Sequence, residues 1–211
     1  MPRHPAFFEG SEMPTAGWWP ALWPDPASVL TSVGLERNMD AIDLCCGDGW
    51  FTLDIAKIAR EVVAVDIDRD MLNAARHRVT EAGLANCAFV EGDAYELAAL
   101  ARRPVDFVFM ANAFHGVQDR DRLVRSVRGV LKPGGRFVVV NWHQRPREQT
   151  PVSGEPRGPK TELRMSPQQT IISVEAGGLA FKIVVELPPY HYAAIFERRQ
   201  SEGSHASDSR S

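Results

Sequence analysis

The sequence predicts an α/β protein with a doubly wound, mostly parallel seven-stranded sheet, an antiparallel last strand, and helices on both faces. Strand-like and helix-like segments alternate through five strands, as is typical of a parallel sheet. The segment EVVAVDI, residues 61–67, contains a continuous, largely β-branched run, as expected for a strand buried on both faces. Residues 188–189, Pro-Pro, form too short a connection for a parallel crossover, so the last strand is expected to run antiparallel.

The chain has 211 residues and is predicted to form one domain over residues 28–199. Residues 1–27 are predicted to form an irregular aromatic arm that packs on this domain, because disordered segments are poor in aromatics. The polar residues 200–211 are predicted to be a disordered tail. Asp25 is a suitable N-cap for the first helix, and Pro26 follows at the first helical position.

Apolar runs bounded by turn residues predict strands at residues 39–46, 61–67, 87–93, 105–112, 136–143, 181–187 and 190–198. Helical spacing and end signals predict helices at residues 25–35, 50–60, 69–83, 94–103, 120–131 and 166–178. Gly83 and Pro104 are expected to end two of these helices, and Ser166 with Pro167 to begin the last one. Residues 144–165 contain four prolines and two glycines with few apolar residues, which predicts an exposed loop.

Composition excludes several classes of protein. The net charge of −3 gives no overall basic field for nucleic acid, and three cysteines are too few for a disulfide scaffold. No apolar run approaches the roughly 18 residues of a membrane span, and the N-terminus lacks the apolar region of a signal peptide. We therefore expect a soluble cytoplasmic protein that binds neither membranes nor nucleic acid.

The first predicted strand leads through a glycine turn, CCGDGWFT at residues 45–52, into a helix. Such turns bring backbone N–H groups close to a nucleotide. The dinucleotide pattern G-x-G-x-x-G is incomplete, because Thr52 follows Gly47 and Gly49 where a third glycine belongs. A phosphate-binding G-x-x-x-x-G-K-[ST] loop is excluded because the lysine is absent.

Carboxylates flank this turn at Asp43 and Asp48, where they would repel a pyrophosphate and attract a cation. The stretch resembles motif I, D-x-G-x-G-x-G, of class I S-adenosylmethionine-dependent methyltransferases. In that family the turn holds the cationic methionyl end of the cofactor. Cys45 replaces the first glycine of the motif, and a cysteine cannot adopt positive φ without cost.

Three further motifs follow in the family's order. VVAVDID contains Asp66, and the resemblance implies that this carboxylate bonds both ribose hydroxyls of the cofactor. FVEGDAYEL contains Asp93, which by the same resemblance accepts a hydrogen bond from the adenine amino group. VDFVFMANAFHGVQD and LVRSVRGVLKPGGRFVVV resemble the fourth strand, the next helix and the fifth strand of small-molecule methyltransferases. The resemblance covers residues 40–142 well and residues 166–198 in outline.

The resemblance implies a Rossmann-like fold, S-adenosylmethionine as cofactor, and transfer of its methyl group to a small molecule. The residues expected to bind the cofactor are Asp43, Cys45, Gly47, Asp48, Gly49, Asp66, Ile67, Gly92, Asp93, Ala94, Ala111 and Asn112.

Three histidines, His115, His143 and His191, are predicted to lie at the cofactor end of the sheet, after strand four, at the end of strand five and just past the turn that leaves strand six. One of them is a candidate general base for a neutral acceptor. Alternatively they form a metal site, or they make only hydrogen bonds at the rim. We predict no bound metal.

Other features leave alternatives open. Trp18, Trp19 and Trp23 are expected either to cover the cofactor or acceptor, or to seal the sheet edge. Cys45 and Cys46 are expected to fill a buried turn rather than to react. The arginine-rich helix at residues 120–128 is expected to be a solvated face rather than a nucleic-acid contact.

Two other functions also fit the sequence. A catalytically silent protein would bind S-adenosylmethionine or its demethylated product, S-adenosylhomocysteine, without turnover. A macromolecule-directed methyltransferase is the second alternative, although the segment after strand four reads ANAFHG instead of [DNS]-P-P-[YFW].

Overall fold

The computed structural model describes residues 17–200. The helices are α1 (Trp19–Leu22), α2 (Pro26–Ser32), α3 (Trp50–Ile58), α4 (Arg69–Glu81), α5 (Leu97–Leu100), α6 (Arg120–Val130) and α7 (Pro167–Ala176). The strands are β1 (Asp40–Leu44), β2 (Glu61–Asp66), β3 (Cys87–Glu91), β4 (Val105–Ala111), β5 (Leu131–Trp142), β6 (Pro151–Val152), β7 (Glu155–Pro156), β8 (Ala180–Leu187) and β9 (His191–Glu197). Within residues 17–200, no helix has the length and apolar character that crossing a membrane requires.

Seven strands form one sheet in the order β3-β2-β1-β4-β5-β9-β8. Strands β1 to β5 pair in parallel, whereas β9 is antiparallel to both β5 and β8. The predicted fold class is therefore confirmed, with the antiparallel strand β9 lying between β5 and β8. The carboxyl ends of β1 to β5 meet along one edge, where ligands bind in open α/β sheets.

Two apolar cores cover the two faces of the sheet. One core is built against α5, α6 and α7, and it includes Leu97, Val127 and Val174. The other is built against α1 to α4, and it includes Ile55 and Val79. Central strands are buried on both sides because helices pack on both faces, which explains their nearly continuous apolar sequences.

Capping groups fix the helix starts that the sequence predicted. The Asp25 side chain accepts a hydrogen bond from the Ser28 N–H, with Pro26 at the first helical position. Ser166 and Gln169 form a reciprocal capping box at the start of α7. The strand predicted to begin at residue 136 begins at Leu131 instead, because Leu131 already pairs with Val105 of β4. The register then shifts, so that Phe107 pairs with Arg136.

The predicted N-terminal arm and C-terminal tail fall partly on residues 1–16 and 201–211, which lie outside the described residues. Within the described chain, Trp18, Trp19 and Trp23 are buried in the core that faces α1 to α4. Trp23 packs edge-on against Phe51, with ring centroids 5.4 Å apart. The tryptophans therefore contribute to the folded domain.

The segment predicted as an exposed loop, residues 144–165, differs from that prediction. It contains two short 3-10 turns and the β6–β7 hairpin, and Thr150, Val152 and Arg164 are buried. The physical reason is the Arg164 guanidinium. It donates to the carbonyl oxygens of Pro159, Arg145 and Arg157 and to the Thr150 hydroxyl, at 2.9 to 3.1 Å.

Arg164 also lies over the Trp142 ring, with its guanidinium carbon 5.0 Å from the ring centroid. Burial lowers the pKa of Arg164 to about 10, which still leaves the group charged at neutral pH. Its planar set of donors satisfies three backbone carbonyls and one hydroxyl, from four different positions in the segment. One side chain therefore holds a proline-rich segment in a defined shape.

We predict that Arg164→Met lowers the free energy of unfolding by roughly 2–3 kcal/mol, because buried acceptors lose their donor. Urea denaturation measures this change. Hydrogen exchange at the Arg157 N–H, which donates to the Thr150 carbonyl, is expected to accelerate as well. Arg102→Met, at an exposed arginine, is the matched control and is expected to change stability by at most about 0.5 kcal/mol. Equal stability of the two variants would contradict the role of Arg164.

Candidate active site

A cavity of about 710 Å³ opens at the carboxyl ends of the parallel strands. Eleven of the twelve predicted cofactor residues line it, namely Asp43, Cys45, Gly47, Asp48, Asp66, Ile67, Gly92, Asp93, Ala94, Ala111 and Asn112. Gly49 is not among the lining residues. It has a φ of 81° and caps α3, and a Cβ there would lie 2.7 Å from the Ala75 Cα of α4. Gly49 therefore permits close packing of α3 on α4.

The glycine turn is fixed to the neighbouring strand by Asp66. One carboxylate oxygen accepts from the Gly47 N–H at 2.8 Å, and the other accepts from the Asp68 N–H at 3.0 Å. The Cys46 N–H donates to the Val65 carbonyl at 3.1 Å. These bonds join the turn after β1 to the end of β2. Each Asp66 oxygen has a further lone pair with which to accept a hydrogen bond from a ligand hydroxyl.

Cys45 adopts a φ of 59°, the left-handed conformation that its position in the motif requires. For a residue with a Cβ, this conformation costs about 1 kcal/mol or more in conformational free energy. Burial raises the pKa of both the Cys45 and the Cys46 thiol, so both stay protonated at neutral pH. This supports the expectation that the pair fills the turn.

Asp43 lies at the base of the cavity and is only 2% exposed. The Thr52 hydroxyl donates to its carboxylate at 2.6 Å. Burial raises the pKa of Asp43 to about 7, with a smaller contribution in the same direction from Asp66. Thr52, which breaks the dinucleotide pattern, therefore serves as the hydrogen-bond donor for this carboxyl group.

Asp48 contributes less negative charge to the cavity than the sequence suggested. Its carboxylate lies 2.9 Å from the Arg78 guanidinium, which also donates to the Asp48 carbonyl. The Arg78 guanidinium carbon lies 5.3 Å from the Trp50 ring centroid. Because Arg78 compensates its charge, Asp48 offers a ligand a weaker attraction than Asp66 does.

The ends of β2 and β3 bring apolar and acidic side chains to the cavity. Ile67, directly after Asp66, has 51% of its surface exposed, which is high for an isoleucine. Asp93 accepts a hydrogen bond from the Tyr95 N–H at 2.9 Å, which turns the chain so that Ala94 also lines the cavity. An apolar surface thus lies beside two carboxylates.

Asn112 follows β4 with a φ of 56°. Both polar atoms of its side chain are buried and have no hydrogen-bond partner among the described residues. A buried amide without partners is costly, so such a group in a cavity wall indicates a ligand that satisfies it.

The three histidines do not come together in the cavity, and only His115 lines it. Burial, with a smaller contribution from Arg120, lowers the pKa of His115 to about 4. The His143 ring lies 2.8 Å from the Glu186 carboxylate, outside the cavity lining. His191 is buried between Trp23 and Trp142, at centroid distances of 4.5 and 4.2 Å.

His143 and His191 therefore lie outside the cavity lining, and the role of the three histidines as a base stays a prediction. Across residues 17–200, no cluster of three His, Cys, Asp or Glu side chains is arranged to hold a metal ion.

Sequence reasoning missed part of the cavity wall. Arg147, Arg157 and Lys160, from the segment predicted as an exposed loop, line the cavity together with Trp18 and Trp19. The backbone of Gly158 lies so close to Trp142 that a Cβ would be 2.6 Å from the indole ring. No local pattern marks this approach, because it depends on contacts between segments distant in sequence.

Helix α6 carries its arginines on a charged surface. Arg125 pairs with Asp121 and Arg122 pairs with Glu96, and the Arg122 guanidinium also lies over the Tyr95 ring. These pairs favour the predicted solvated face.

Comparison with known proteins gives consistent results. Residues 42–139 match the family model described as a methyltransferase domain. The chain is 30% identical over 119 residues to the demethylmenaquinone methyltransferase of Staphylococcus aureus (strain MRSA252), covering 55% of this chain and 48% of that protein. The chain thus spans about half the length of the curated relatives it matches.

Solved structures share the fold. An S-adenosylmethionine-dependent methyltransferase from Aquifex aeolicus superposes with a TM-score of 0.73 at 24% identity, covering 85% of this chain and 92% of that one. The cyclase SpnF superposes with a TM-score of 0.66 at 18% identity, covering 83% of this chain and 82% of that one. The fold therefore occurs in proteins whose names state different activities. The family model therefore places residues 42–139 in the methyltransferase-domain family, and the chain shares the fold of a solved S-adenosylmethionine-dependent methyltransferase.

Proposed function

We propose that the protein binds S-adenosylmethionine and transfers its methyl group to a small molecule. The observation that carries this proposal is the order of groups along one wall of the cavity. The glycine turn, the Asp66 carboxylate, the exposed Ile67 and the Asp93–Ala94 turn follow each other from β1 to β3. This order matches the amino-acid, ribose and adenine parts of the cofactor.

The residues present fit this cofactor chemically. Asp66 has acceptor capacity for neighbouring ribose hydroxyls, and Ile67 offers an apolar surface for a purine ring. Asp43 and Asp66 favour a positive charge near the turn. When bound, S-adenosylmethionine supplies a methyl group on a positively charged sulfur, which a nucleophile displaces.

The chain contributes mainly by positioning. Asn112 lines the cavity just after β4, between the acidic wall and the segment that follows β5, and both of its side-chain polar atoms are buried without a partner among the described residues. Holding two reactants in line supplies a large share of the acceleration for a displacement that needs no covalent enzyme intermediate. The low pKa of His115 makes it a weak base at neutral pH.

The acceptor of the quinone-biosynthesis relatives is not carried over to this chain. The tryptophans and cations that line the cavity beyond Asn112 come from residues 18–19, Trp142 and residues 147–160, all outside the matched residues 42–139. The acceptor is accordingly assigned only as a small molecule, and the expected site of action is the cytoplasm.

The proposal is tested by titrating the protein calorimetrically with S-adenosylmethionine, S-adenosylhomocysteine and NAD. We expect the first two to bind and NAD not to bind. Ile67→Ala is expected to weaken the binding of S-adenosylmethionine and of S-adenosylhomocysteine by about five- to tenfold, because about 1 kcal/mol of apolar contact is lost. Ile172→Ala, at an isoleucine that is 61% exposed on α7, is the matched control and is expected to change nothing.

Neither isoleucine substitution is expected to lower the melting temperature, because both side chains are largely exposed. Binding of NAD alone, or equal effects of the two substitutions, would overturn the cofactor assignment. A protein that binds both sulfur compounds but methylates no acceptor would be a silent binding protein.

A second prediction concerns pH. Asp43 has a pKa of about 7, raised by burial, so it is neutral below this pH and negative above it. A cationic ligand prefers the negative form, so S-adenosylmethionine is expected to bind up to about tenfold more weakly at pH 6 than at pH 8. S-adenosylhomocysteine has an uncharged sulfur and is expected to show a smaller change.

Calorimetry at the two pH values measures this difference. Asp43→Asn keeps an acceptor for the Thr52 hydroxyl but has no titrating group, and it is expected to abolish the difference between the two ligands. The same pH dependence in Asp43→Asn would assign the effect to another group.

A further inference from the structure

Charge is unevenly distributed around the cavity. The lining carboxylates lie at or just after the ends of β1, β2 and β3, namely Asp43, Asp48, Asp66, Asp68 and Asp93. The lining cations, Arg147, Arg157 and Lys160, all belong to the segment that follows β5. Because β1, β2 and β3 lie on the other side of β4 from β5, the two groups of charge lie towards opposite ends of the opening.

The three cations are not neutralised by the protein. Within residues 17–200, no carboxylate lies within ion-pair distance of any of them. The Arg157 Nε is buried and has no hydrogen-bond partner among the described residues. A buried guanidinium nitrogen without a partner at a cavity wall indicates an anionic ligand group that would accept from it.

The backbone that carries Arg157 is held in place. Arg164 donates to the Arg157 carbonyl at 2.9 Å, and the Gly158 backbone packs directly on Trp142. The backbone that carries Arg157 is therefore anchored on both sides. A preorganised cation binds an anion more tightly than a mobile one, because less conformational entropy is lost.

An aromatic wall adjoins the cations. Trp18 and Trp19 stack with ring centroids 4.8 Å apart and planes inclined by 26°, and both line the cavity. Trp142 also lines it, with its ring centroid 6.5 Å from that of Trp18. The Arg157 guanidinium carbon lies 5.9 Å from the Trp18 ring centroid. A flat ring lying on this wall therefore places its edge beside a cation.

We propose that the acceptor is a planar aromatic anion, with its ring against Trp18 and Trp19 and its carboxylate or phenolate held by Arg157 and Lys160. This inference rests on the proposed function. An acceptor that binds in its ionised form needs no base from the chain, which agrees with the placement of His143 and His191 outside the cavity. The same cations lower the pKa of a bound phenol and keep it ionised.

The test is calorimetric titration of the protein saturated with S-adenosylhomocysteine, the product form, so that no reaction occurs. The probes are 2-naphthoate and its uncharged isostere 2-naphthamide, and, above neutral pH, 4-nitrophenolate and uncharged 4-nitroanisole. We expect at least one anion to bind about tenfold or more tightly than its neutral partner. The two pairs distinguish a carboxylate site from a phenolate site.

Arg157→Gln and Lys160→Gln are each expected to weaken binding of the anion by about five- to tenfold and to leave binding of S-adenosylhomocysteine within about twofold. Arg145→Gln is the matched control, because Arg145 is exposed in the same segment and does not line the cavity. This control is expected to bind both ligands as the wild type does.

Each outcome is decisive for one of the two proposals. Equal binding of anions and neutral partners, or an Arg157→Gln variant that binds the anion normally, would overturn the anionic acceptor. If no aromatic probe binds the protein saturated with S-adenosylhomocysteine, the anionic acceptor is overturned as well. Failure of the wild type to bind S-adenosylhomocysteine would overturn the proposed function itself.

Discussion

The carboxylate of Asp66 is the constraint on which the acidic half of the cavity depends. By accepting from the Gly47 and Asp68 N–H groups, it fixes two turns that belong to different strands. The turn after β1 can then hold Cys45 in its left-handed conformation against the steric preference of that residue. A single side chain thus sets both the backbone shape of the turn and the acceptor geometry that a ligand meets. The same group is also close enough to Asp43 to contribute to its raised pKa.

The opposite half of the cavity is organised by a cation in place of a carboxylate. Arg164 donates hydrogen bonds to backbone and hydroxyl oxygens of residues 145–159 and packs on Trp142. Both halves therefore use one charged side chain to shape an irregular segment. The difference lies in what each segment exposes: carboxylates on one side, and cations beside indole rings on the other. Asn112 stands between them at the end of the central strand β4.

Local sequence signals were sufficient to predict most of the fold. The Asp25 and Ser166 caps, the alternation of elements and the short Pro188–Pro189 connection each act over a few residues, and each is confirmed. A methyltransferase was predicted from four short motifs, and residues 42–139 match a methyltransferase-domain family model. Sequence alone did not distinguish Gly49 from Gly47, because their difference lies in the distance to Ala75 of another helix.

Side-chain direction and long-range contacts account for the remaining differences. His143 and His191 lie at the expected end of the sheet, but whether each points into the cavity depends on the strand's pleat and on neighbours such as Glu186 and Trp23. The composition of residues 144–165 predicts exposure, because it cannot reveal that Arg164 satisfies the segment's carbonyls. The predicted roles of the cavity residues in cofactor and acceptor binding stay predictions.

The aromatic and cationic wall combines residues 18–19 and 147–160, which flank the matched residues 42–139 along the chain, with Trp142 of β5. Residues 18–19 and 147–160 contribute no strand to the seven-stranded sheet, but Trp18 and Trp19 are buried in the core that packs on it. Substitution of these tryptophans therefore disturbs packing, whereas the exposed Arg147 and Lys160 can change with little effect on the strands that carry the acidic wall. Within a lineage, the charge on the acceptor side is therefore free to diverge while the acidic half stays constant. For an engineer, the same separation makes the cations of residues 147–160 the positions at which to alter acceptor preference.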